Sequence, residues 1–228
     1  MKDFGSDYAF DVADFALGGR AVRPTFYEAK GKRVFDLVMA LAMLPVVLPL
    51  IALCWLLVRL DGGPGFYAQP RVGRDGKVFR CWKLRTMVVD AEAALKRLCE
   101  RNPAIAREWR VKQKLARDPR ITRIGRFLRA TSLDELPQFF NVLMGDMSFV
   151  GPRPFMTDQT RIYLEAGGLS YFRMRPGITG HWQVYGRGVT SFAGRVDYDD
   201  SYYRAIGPVE DLRLMIKTAG VVFKRTGT

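Results

Sequence analysis

The chain has 228 residues, 48% of them apolar and 26% charged, and its 36 basic and 23 acidic side chains give a formal net charge of +13. This length and apolar content suit one domain with a hydrophobic core and exclude a disordered chain. The basic excess predicts a polyanionic partner, which is nucleic acid, an anionic membrane or a phosphate-bearing substrate. One histidine and three cysteines without a CxxC pair argue against a structural zinc site and a disulfide framework.

The first residues of the chain show no sustained hydrophobic periodicity. Residues 1–29 carry five acidic and three basic groups. We expect them to form a poorly ordered arm, so the predicted folded part of the chain starts at residue 30.

The strongest pattern is an uncharged run of 22 residues, 37–58, with the sequence LVMALAMLPVVLPLIALCWLLV. At about 1.5 Å per residue, a helix of this length spans about 30 Å of hydrocarbon. Pro45 and Pro49 lie near its midpoint, and each lacks the N–H that would bond to the carbonyl four residues earlier. We therefore expect the helix to kink or break at these two hinge residues.

The flanks of this run bear on its orientation in a membrane. Five basic groups precede it in residues 17–36 and four follow it in residues 59–78, so both ends are expected on the cytoplasmic side. The sequence thus predicts a re-entrant helix–break–helix over residues 30–60. A kinked single span and a buried helix of a soluble domain are the alternatives.

The rest of the chain predicts one small domain over residues 61–226. A loop at 61–65 leads into β-like stretches at 66–69 and 77–87, which are joined by a turn at 73–76. Helical periodicity follows over residues 88–101, 103–116, 134–144, 155–166, 190–204 and 209–224. The last helix is amphipathic, and it either lies at a lipid surface or packs on the domain. The predicted fold is α+β and mostly helical, with a short β-hairpin and surface amphipathic helices.

A basic segment covers residues 101–130, with ten basic and two acidic side chains. Its arginines recur at intervals of three, at Arg117, Arg120, Arg123, Arg126 and Arg129. Such a stripe binds phosphates or forms a solvated face against anionic headgroups. Aromatic residues are sparse in this segment, which disfavours single-stranded nucleic acid as the ligand.

Two adjacent carboxylates, Asp134 and Glu135, follow Ser132 at the start of a predicted helix. Ser132 and Glu135 match the spacing of a capping box, so one interpretation of Glu135 is a helix cap. The other is catalytic, because a helix N-terminus stabilises carboxylates and approaching phosphoryl groups. One carboxylate could then attack phosphorus while the other holds a divalent cation.

Two further arginines lie in stiff turns. Arg153 stands between two prolines in GPRP, a rigid mount for a bidentate phosphate clamp. Arg175 begins RPGITG, a turn that could bring backbone amides against a phosphate. Taken singly, such turns are more often structural than functional.

Several motifs together resemble the bacterial sugar transferase family, the monotopic phosphoglycosyl transferases that initiate exopolysaccharide and glycoconjugate assembly. The resemblance covers residues 30–226. The motifs are KRVFD at 32–36, FRCWKLRTM at 79–87, DPRITRIGRFLR at 118–129, SLDELPQFFNVLMGDMSFVGPRP at 132–154 and RPGITGHWQVYGR at 175–187.

The resemblance implies transfer of a sugar 1-phosphate from a UDP-sugar to undecaprenyl phosphate, with release of UMP and a requirement for Mg²⁺. It implies that Asp134 is the nucleophile of a covalent phosphosugar intermediate and that Glu135 binds the metal. The residues expected to bind substrate or phosphate are Lys83, Arg85, Arg120, Arg153, Arg175 and Asp200. In the membrane segment, Pro49 matches the proline of the family's helix break, whereas Leu48 replaces a serine of some members and Pro45 is an addition.

The resemblance also implies a place in the cell and a set of partners. The catalytic domain is expected at the cytoplasmic face of the bacterial inner membrane, with anionic lipids, a UDP-sugar and undecaprenyl phosphate as partners and no nucleic acid. A homo-oligomer is left open. The chain looks most like the compact exopolysaccharide starters, which favours galactose or glucose 1-phosphate over an N-acetylhexosamine 1-phosphate. A non-catalytic basic module that binds nucleic acid or anionic lipid is the alternative from another class.

Overall fold

The computed structural model describes residues 24–112 and 115–223. Most of the predicted arm, residues 1–23, lies outside the described residues. The last residues of the predicted arm, which ends at residue 29, are helical. A π-helical turn at Tyr27–Gly31 runs directly into the first α-helix, α1, at Lys32–Arg59. Helical structure therefore already includes residues before the predicted boundary at residue 30.

Helix α1 contains 28 residues and includes both Pro45 and Pro49. The predicted break in helical structure is thus wrong, since the helix continues through both prolines. Both prolines are exposed. Their missing hydrogen bonds fall on the outer side of the helix, while packing of the inner side on the rest of the protein maintains the helical backbone.

The inner side of α1 is a buried stripe at intervals of three, four or seven residues: Asp36, Ala40, Val47, Ile51, Cys54 and Val58. The outer side is apolar and exposed, and includes Val38, Leu41, Val46, Leu53 and Leu56. The helix is also long and apolar enough to cross a membrane by length and composition. It therefore packs against the domain along most of its length and presents an apolar face outward.

The predicted hairpin is confirmed. Strands β1 (Phe66–Val72) and β2 (Val78–Leu84) pair antiparallel, from Phe66 opposite Leu84 to Val72 opposite Val78. A second sheet was not predicted from the sequence: β3 (Ser148–Val150) pairs parallel with β4 (Gly177–Thr179). These strands have only three residues each, too short for a clear alternation of apolar and polar residues.

The helices confirm the predicted α+β, mostly helical class. After α1 they are α2 (Ala91–Arg101), α3 (Pro103–Lys112), α4 (Arg123–Thr131), α5 (Gln138–Met144), α6 (Thr160–Glu165), α7 (Arg195–Ala205) and α8 (Pro208–Phe223). Helix α4 was missed, because its segment was interpreted only as an arginine stripe. Its signals are the Thr122 cap, whose Oγ1 accepts a hydrogen bond from the Gly125 N–H at 2.9 Å, and the buried Leu128.

Three hydrophobic clusters form the core. The first joins α1 to α5, β3 and α8 through residues such as Ile51, Phe139, Val150 and Leu214. The second is largely aromatic and contains no residue of α1; its members include Val72, Phe155, Tyr163, Tyr171 and Val196. The third joins the end of α1 to β2 and α4 through Cys54, Val58, Leu84 and Leu128. The first cluster thus packs α1 against α5, and the third packs α1 against α4. The segment that connects α4 to α5 lies between these two contacts.

A buried ion pair attaches α8 to α1. Lys32 Nζ lies 2.6 Å from Asp211 Oδ2, and the hydroxyl of Tyr202 donates to Asp211 Oδ1 at 2.6 Å. Helix α8 thus packs on the domain, which is one of the two arrangements that the sequence predicted for it. Its opposite side still exposes Val209 and Ile216, which are 80% and 65% accessible, so packing on the domain leaves an apolar side available to lipid.

Candidate active site

The acidic pair lies on a short 3₁₀ turn, Leu133–Glu135, between α4 and α5. Ser132 has a left-handed backbone with φ +57° and ends α4, its N–H bonding to the Arg129 carbonyl. Its side chain makes no capping hydrogen bond at the turn. The capping-box interpretation of Glu135 is therefore wrong, because Ser132 terminates one helix instead of capping the next.

Glu135 is held by two cations. Its Oε1 accepts hydrogen bonds from Lys83 Nζ at 2.8 Å and from Arg153 Nη2 at 2.9 Å. Burial alone would raise the pKa of this carboxyl, but Arg153 and Lys83 outweigh burial and hold the pKa well below its ordinary value. Glu135 is therefore a fixed negative charge in the site.

Asp134 has the opposite character. Burial raises the pKa of its carboxyl above the ordinary value, and the charge of Glu135 adds to this while Lys83 opposes it. Among the described residues, no side chain donates a hydrogen bond to the Asp134 carboxylate. The pair thus consists of one carboxylate locked by cations and one left available to react.

The cations come from two separate elements. Lys83 lies on β2, and Arg153 follows β3 between Pro152 and Pro154. The buried Asn141 of α5 fixes β2 beside the acidic turn, since its Nδ2 donates to the Arg80 carbonyl at 2.7 Å and its Oδ1 accepts from the Trp82 N–H at 3.0 Å. Asn141 was not predicted as a site residue; the available signal was an amide among the apolar positions of a helix.

Three predicted phosphate-binding residues lie outside this group. The Arg85 guanidinium is buried and donates to Asp61 and to the carbonyls of Val58, Pro64 and Met87. It therefore ties the end of α1 to the end of β2, and its contacts give a phosphate role no support.

Arg120 and Arg175 are also engaged elsewhere. Arg120 pairs with Asp118 through two hydrogen bonds of 2.9 and 2.6 Å and stacks 5.1 Å from the centre of the Trp109 ring. Arg175 donates to the Gly145 carbonyl at 2.9 Å. Neither contacts the acidic pair.

Of the aspartates in α7, it is Asp199 that is buried, whereas the predicted Asp200 is only half-buried. The Tyr163 hydroxyl donates to Asp199 Oδ2 at 2.5 Å, and burial raises the pKa of Asp199 to about 7. The side chain of Asp200 has no hydrogen bond or ion pair within the described part of the chain. Val196, Asp199 and Tyr202 recur every three residues and form the buried side of α7. This periodicity was the signal that would have identified Asp199, and not Asp200, as the buried aspartate.

The donor set around the acidic pair can be compared with the needs of magnesium. Within residues 24–112 and 115–223, no group of three or more His, Cys, Asp or Glu residues is arranged to hold a metal. Both cations donate to Oε1 of Glu135, which leaves Oε2 and the adjacent Asp134 as oxygen ligands. Mg²⁺ commonly binds through one or two carboxylates together with substrate phosphates, so this set fits an ion that is completed by a phosphate ligand.

The fold and the site define an α+β protein with a free and a locked carboxylate side by side, near a long apolar helix. The family model for bacterial sugar transferases matches residues 27–225. The chain is 46% identical over 197 residues to the undecaprenyl-phosphate galactose phosphotransferase of Salmonella typhimurium, which covers 86% of this chain and 41% of that protein. It is 42% identical over 209 residues to the exopolysaccharide production protein ExoY of Sinorhizobium fredii, with 91% of each chain covered.

A third relative is the UDP-glucose:undecaprenyl-phosphate glucose-1-phosphate transferase of Escherichia coli, 38% identical over 201 residues, with 85% of this chain and 39% of that protein covered. The chain belongs to the bacterial sugar transferase family, which confirms the resemblance found in its motifs. It spans about two fifths of the length of the Salmonella and Escherichia relatives.

Proposed function

We propose that this protein transfers a sugar 1-phosphate from a UDP-sugar to undecaprenyl phosphate, as the first membrane step of exopolysaccharide synthesis. The names of the relatives support this reaction, since they include a galactose and a glucose phosphotransferase that act on undecaprenyl phosphate. The observation that carries the proposal is the acidic pair, in which Glu135 is locked by Lys83 and Arg153 while Asp134 is free of side-chain donors.

The reaction then proceeds in two displacements at one phosphorus atom. A carboxylate oxygen of Asp134 attacks the phosphorus that carries the sugar, and the bond from this phosphorus to the bridging oxygen breaks as UMP leaves with the electron pair. An oxygen of undecaprenyl phosphate then attacks the same phosphorus and releases the Asp134 carboxylate. Both steps exchange one activated phosphoryl bond for another, so orientation and neutralisation of charge supply most of the catalysis.

The other residues of the site have supporting roles in this proposal. Lys83 lies near both carboxylates and offsets the charge of the phosphates that approach them. Arg153 keeps Glu135 oriented. Glu135 Oε2 is the oxygen that we expect to hold Mg²⁺, which would screen the negative charge of the diphosphate when bound.

The packing of α1 supports a monotopic position at the cytoplasmic face of the inner membrane. Its buried stripe contacts the domain from Asp36 to Val58. A straight crossing of about 30 Å of hydrocarbon would draw the domain into the bilayer along with this stripe. We therefore infer that α1 enters one leaflet with its exposed apolar face and has both ends on the cytoplasmic side.

The test of the activity is UMP release by the full chain in nanodiscs with undecaprenyl phosphate, Mg²⁺ and a panel of UDP-sugars. We expect release with UDP-galactose or UDP-glucose, none for the Asp134→Asn variant, and loss of activity on chelation of Mg²⁺. A preference for a UDP-N-acetylhexosamine would show that the transferred sugar is an N-acetylhexosamine and not galactose or glucose. Absence of UMP with every donor, or full activity of Asp134→Asn, would refute the proposal and favour a non-catalytic basic membrane module.

A further inference from the structure

A group of three arginines beside the acidic pair is left with excess positive charge. Arg153 shares the Glu135 carboxylate with Lys83. Arg71 donates only to neutral groups, to Gln69 Oε1 at 2.6 Å and to the Pro154 carbonyl at 3.4 Å. Within the described residues, no carboxylate lies within ion-pair distance of Arg71 or of the third arginine, Arg195.

Arg195 is held flat by aromatic rings. Its guanidinium carbon lies 4.0 Å from the centre of the Trp182 ring and 4.9 Å from that of Phe192. Its Nε is buried and has no hydrogen-bond partner within the described part of the chain. A buried N–H donor without a partner is costly, so the Arg195 guanidinium has hydrogen-bonding capacity that the described residues leave unused.

The geometry brings the three arginines together. In the hairpin, Tyr67 is opposite Lys83 and Arg71 is opposite Phe79, so Arg71 and Lys83 project from the same face. Arg71 reaches the carbonyl of Pro154, the residue that follows Arg153. Burial, together with the nearby charges of Arg153 and Arg71, lowers the pKa of Arg195 to about 10. Arg195 stacks on Phe192, whose ring centre lies 5.8 Å from that of Phe155, two residues after Arg153, so all three arginines lie around one segment of the chain.

The nearby carboxylates do not balance this charge. Glu135 is shared between two cations. Asp199 is bonded to Tyr163, and burial raises its pKa to about 7, so it is only partly ionised at neutral pH. A phosphate group would supply the missing negative charge, and the planar guanidinium fork matches phosphate oxygens.

We propose that Arg71, Arg153 and Arg195 form the binding site for the diphosphate of the nucleotide donor. This inference rests on the proposed function and adds Arg71 and Arg195 to the residues that bind substrate. Undecaprenyl phosphate offers the same oxyanion chemistry, but the position of the group favours the water-soluble donor. Arg71 and Arg195 adjoin Val72 and Val196 of the second core cluster, which contains no residue of the apolar helix α1.

The test measures binding of uridine, UMP and UDP to the full chain in nanodiscs with Mg²⁺ by calorimetry. Arg71→Ala and Arg195→Ala are each expected to weaken UDP binding by at least about tenfold, UMP binding less, and uridine binding not at all. Arg71→Lys and Arg195→Lys keep the positive charge but lack the planar guanidinium fork, so we expect a smaller loss of UDP affinity in these variants. Arg161→Ala is the matched control, because Arg161 is exposed and pairs only with Glu165.

Three outcomes would overturn the inference. The first is unchanged UDP affinity in both alanine variants of a protein that releases UMP. The second is an equal loss for uridine, UMP and UDP, which would indicate a structural role. The third is a raised KM for undecaprenyl phosphate with unchanged UDP affinity, which would assign the arginines to the acceptor. By contrast, a wild-type chain that neither binds UDP nor releases UMP refutes the proposed function itself.

Discussion

Adjacent carboxyl groups acquire different properties here because their partners differ. Glu135 receives two charged donors, and its pKa lies well below the ordinary value, whereas burial raises the pKa of Asp134. No sequence rule separates two neighbouring acids in this way, since the cations come from β2 and from the segment after β3. The sequence pointed to the pair, and the family resemblance predicted a different role for each member. The tertiary structure adds that Glu135 is the carboxylate locked by cations.

Replacement of Glu135 by glutamine tests this division. The amide removes the negative charge between Lys83 and Arg153, so we expect activity to fall by about 10²–10³-fold, with a loss of about 1–3 kcal/mol in stability. UMP release and thermal denaturation measure the two effects. Glu165→Gln, in an exposed pair with Arg161, should change neither; wild-type activity of Glu135→Gln would contradict the assignment.

Asp199 makes stability depend on pH in an unusual direction. Its pKa is about 7 in the folded protein against an ordinary value of 3.8, so the folded state binds the proton more tightly than the unfolded state. The contribution of Asp199 to stability is therefore favourable at low pH and is lost as the pH rises from about 3.8 to 7.

We expect Asp199→Asn to reduce the fall in the free energy of unfolding across this pH range. The measurement is chemical denaturation at a series of pH values. Asp200→Asn, one residue further along the same helix, is the control and should keep the wild-type pH dependence. The same slope in Asp199→Asn and in the wild type would show that Asp199 is ionised throughout the range.

At the level of elements, local patterns predicted the structure where local forces decide it. The hairpin was predicted because the turn and the β-rich stretches are contiguous, and β1 and β2 form as expected. Helix α4 was missed because its arginines obscured its buried positions, Gly125 and Leu128. The break at Pro45 and Pro49 was wrong because packing of α1 on the domain, which no local pattern contains, preserves the helix.

The contact between α5 and β2 provides a test at this scale. Asn141→Ala leaves the Trp82 N–H and the Arg80 carbonyl without their partner, so we expect a loss of about 2 kcal/mol or more in stability. We also expect reduced UMP release, because Lys83 lies on the strand that Asn141 positions. Thermal denaturation and turnover below the melting temperature measure these effects.

Asn102→Ala is a matched control for this variant. Asn102 accepts a hydrogen bond from the Ala104 N–H at 2.9 Å at the start of α3, away from the acidic pair. Its loss is expected to cost about 1 kcal/mol and to leave turnover unchanged. If Asn141→Ala, once folded, turns over at the wild-type rate, then Asn141 does not position the site.

For the whole molecule, the central feature is an apolar helix fixed to the domain at both ends. At its start, Lys32 pairs with Asp211, and near its end Val58 packs with Leu84. The length and hydropathy of the segment were evident from the sequence. Its attachment along one face could not be predicted, because it depends on α5, β2 and α8, which follow much later in the chain.

This arrangement predicts that both ends of α1 lie on one side of the membrane. Cysteines introduced at Ala29 and Leu60, both exposed, should react with an impermeant maleimide in inverted vesicles and remain protected in right-side-out vesicles. A cysteine at the exposed Arg161 reports the side of the domain. Labelling of the two helix ends from opposite sides would establish a true span and contradict the monotopic position.

The covalent role of Asp134 is tested most directly by mass spectrometry of the full chain, quenched after mixing with its UDP-sugar donor and Mg²⁺ without acceptor. We expect a phosphosugar adduct on the peptide of residues 132–154, located at Asp134, that disappears when undecaprenyl phosphate is added. The Asp134→Asn protein should show none. A wild-type protein that turns over its donor without such an adduct, or that carries it on another residue, would contradict the account.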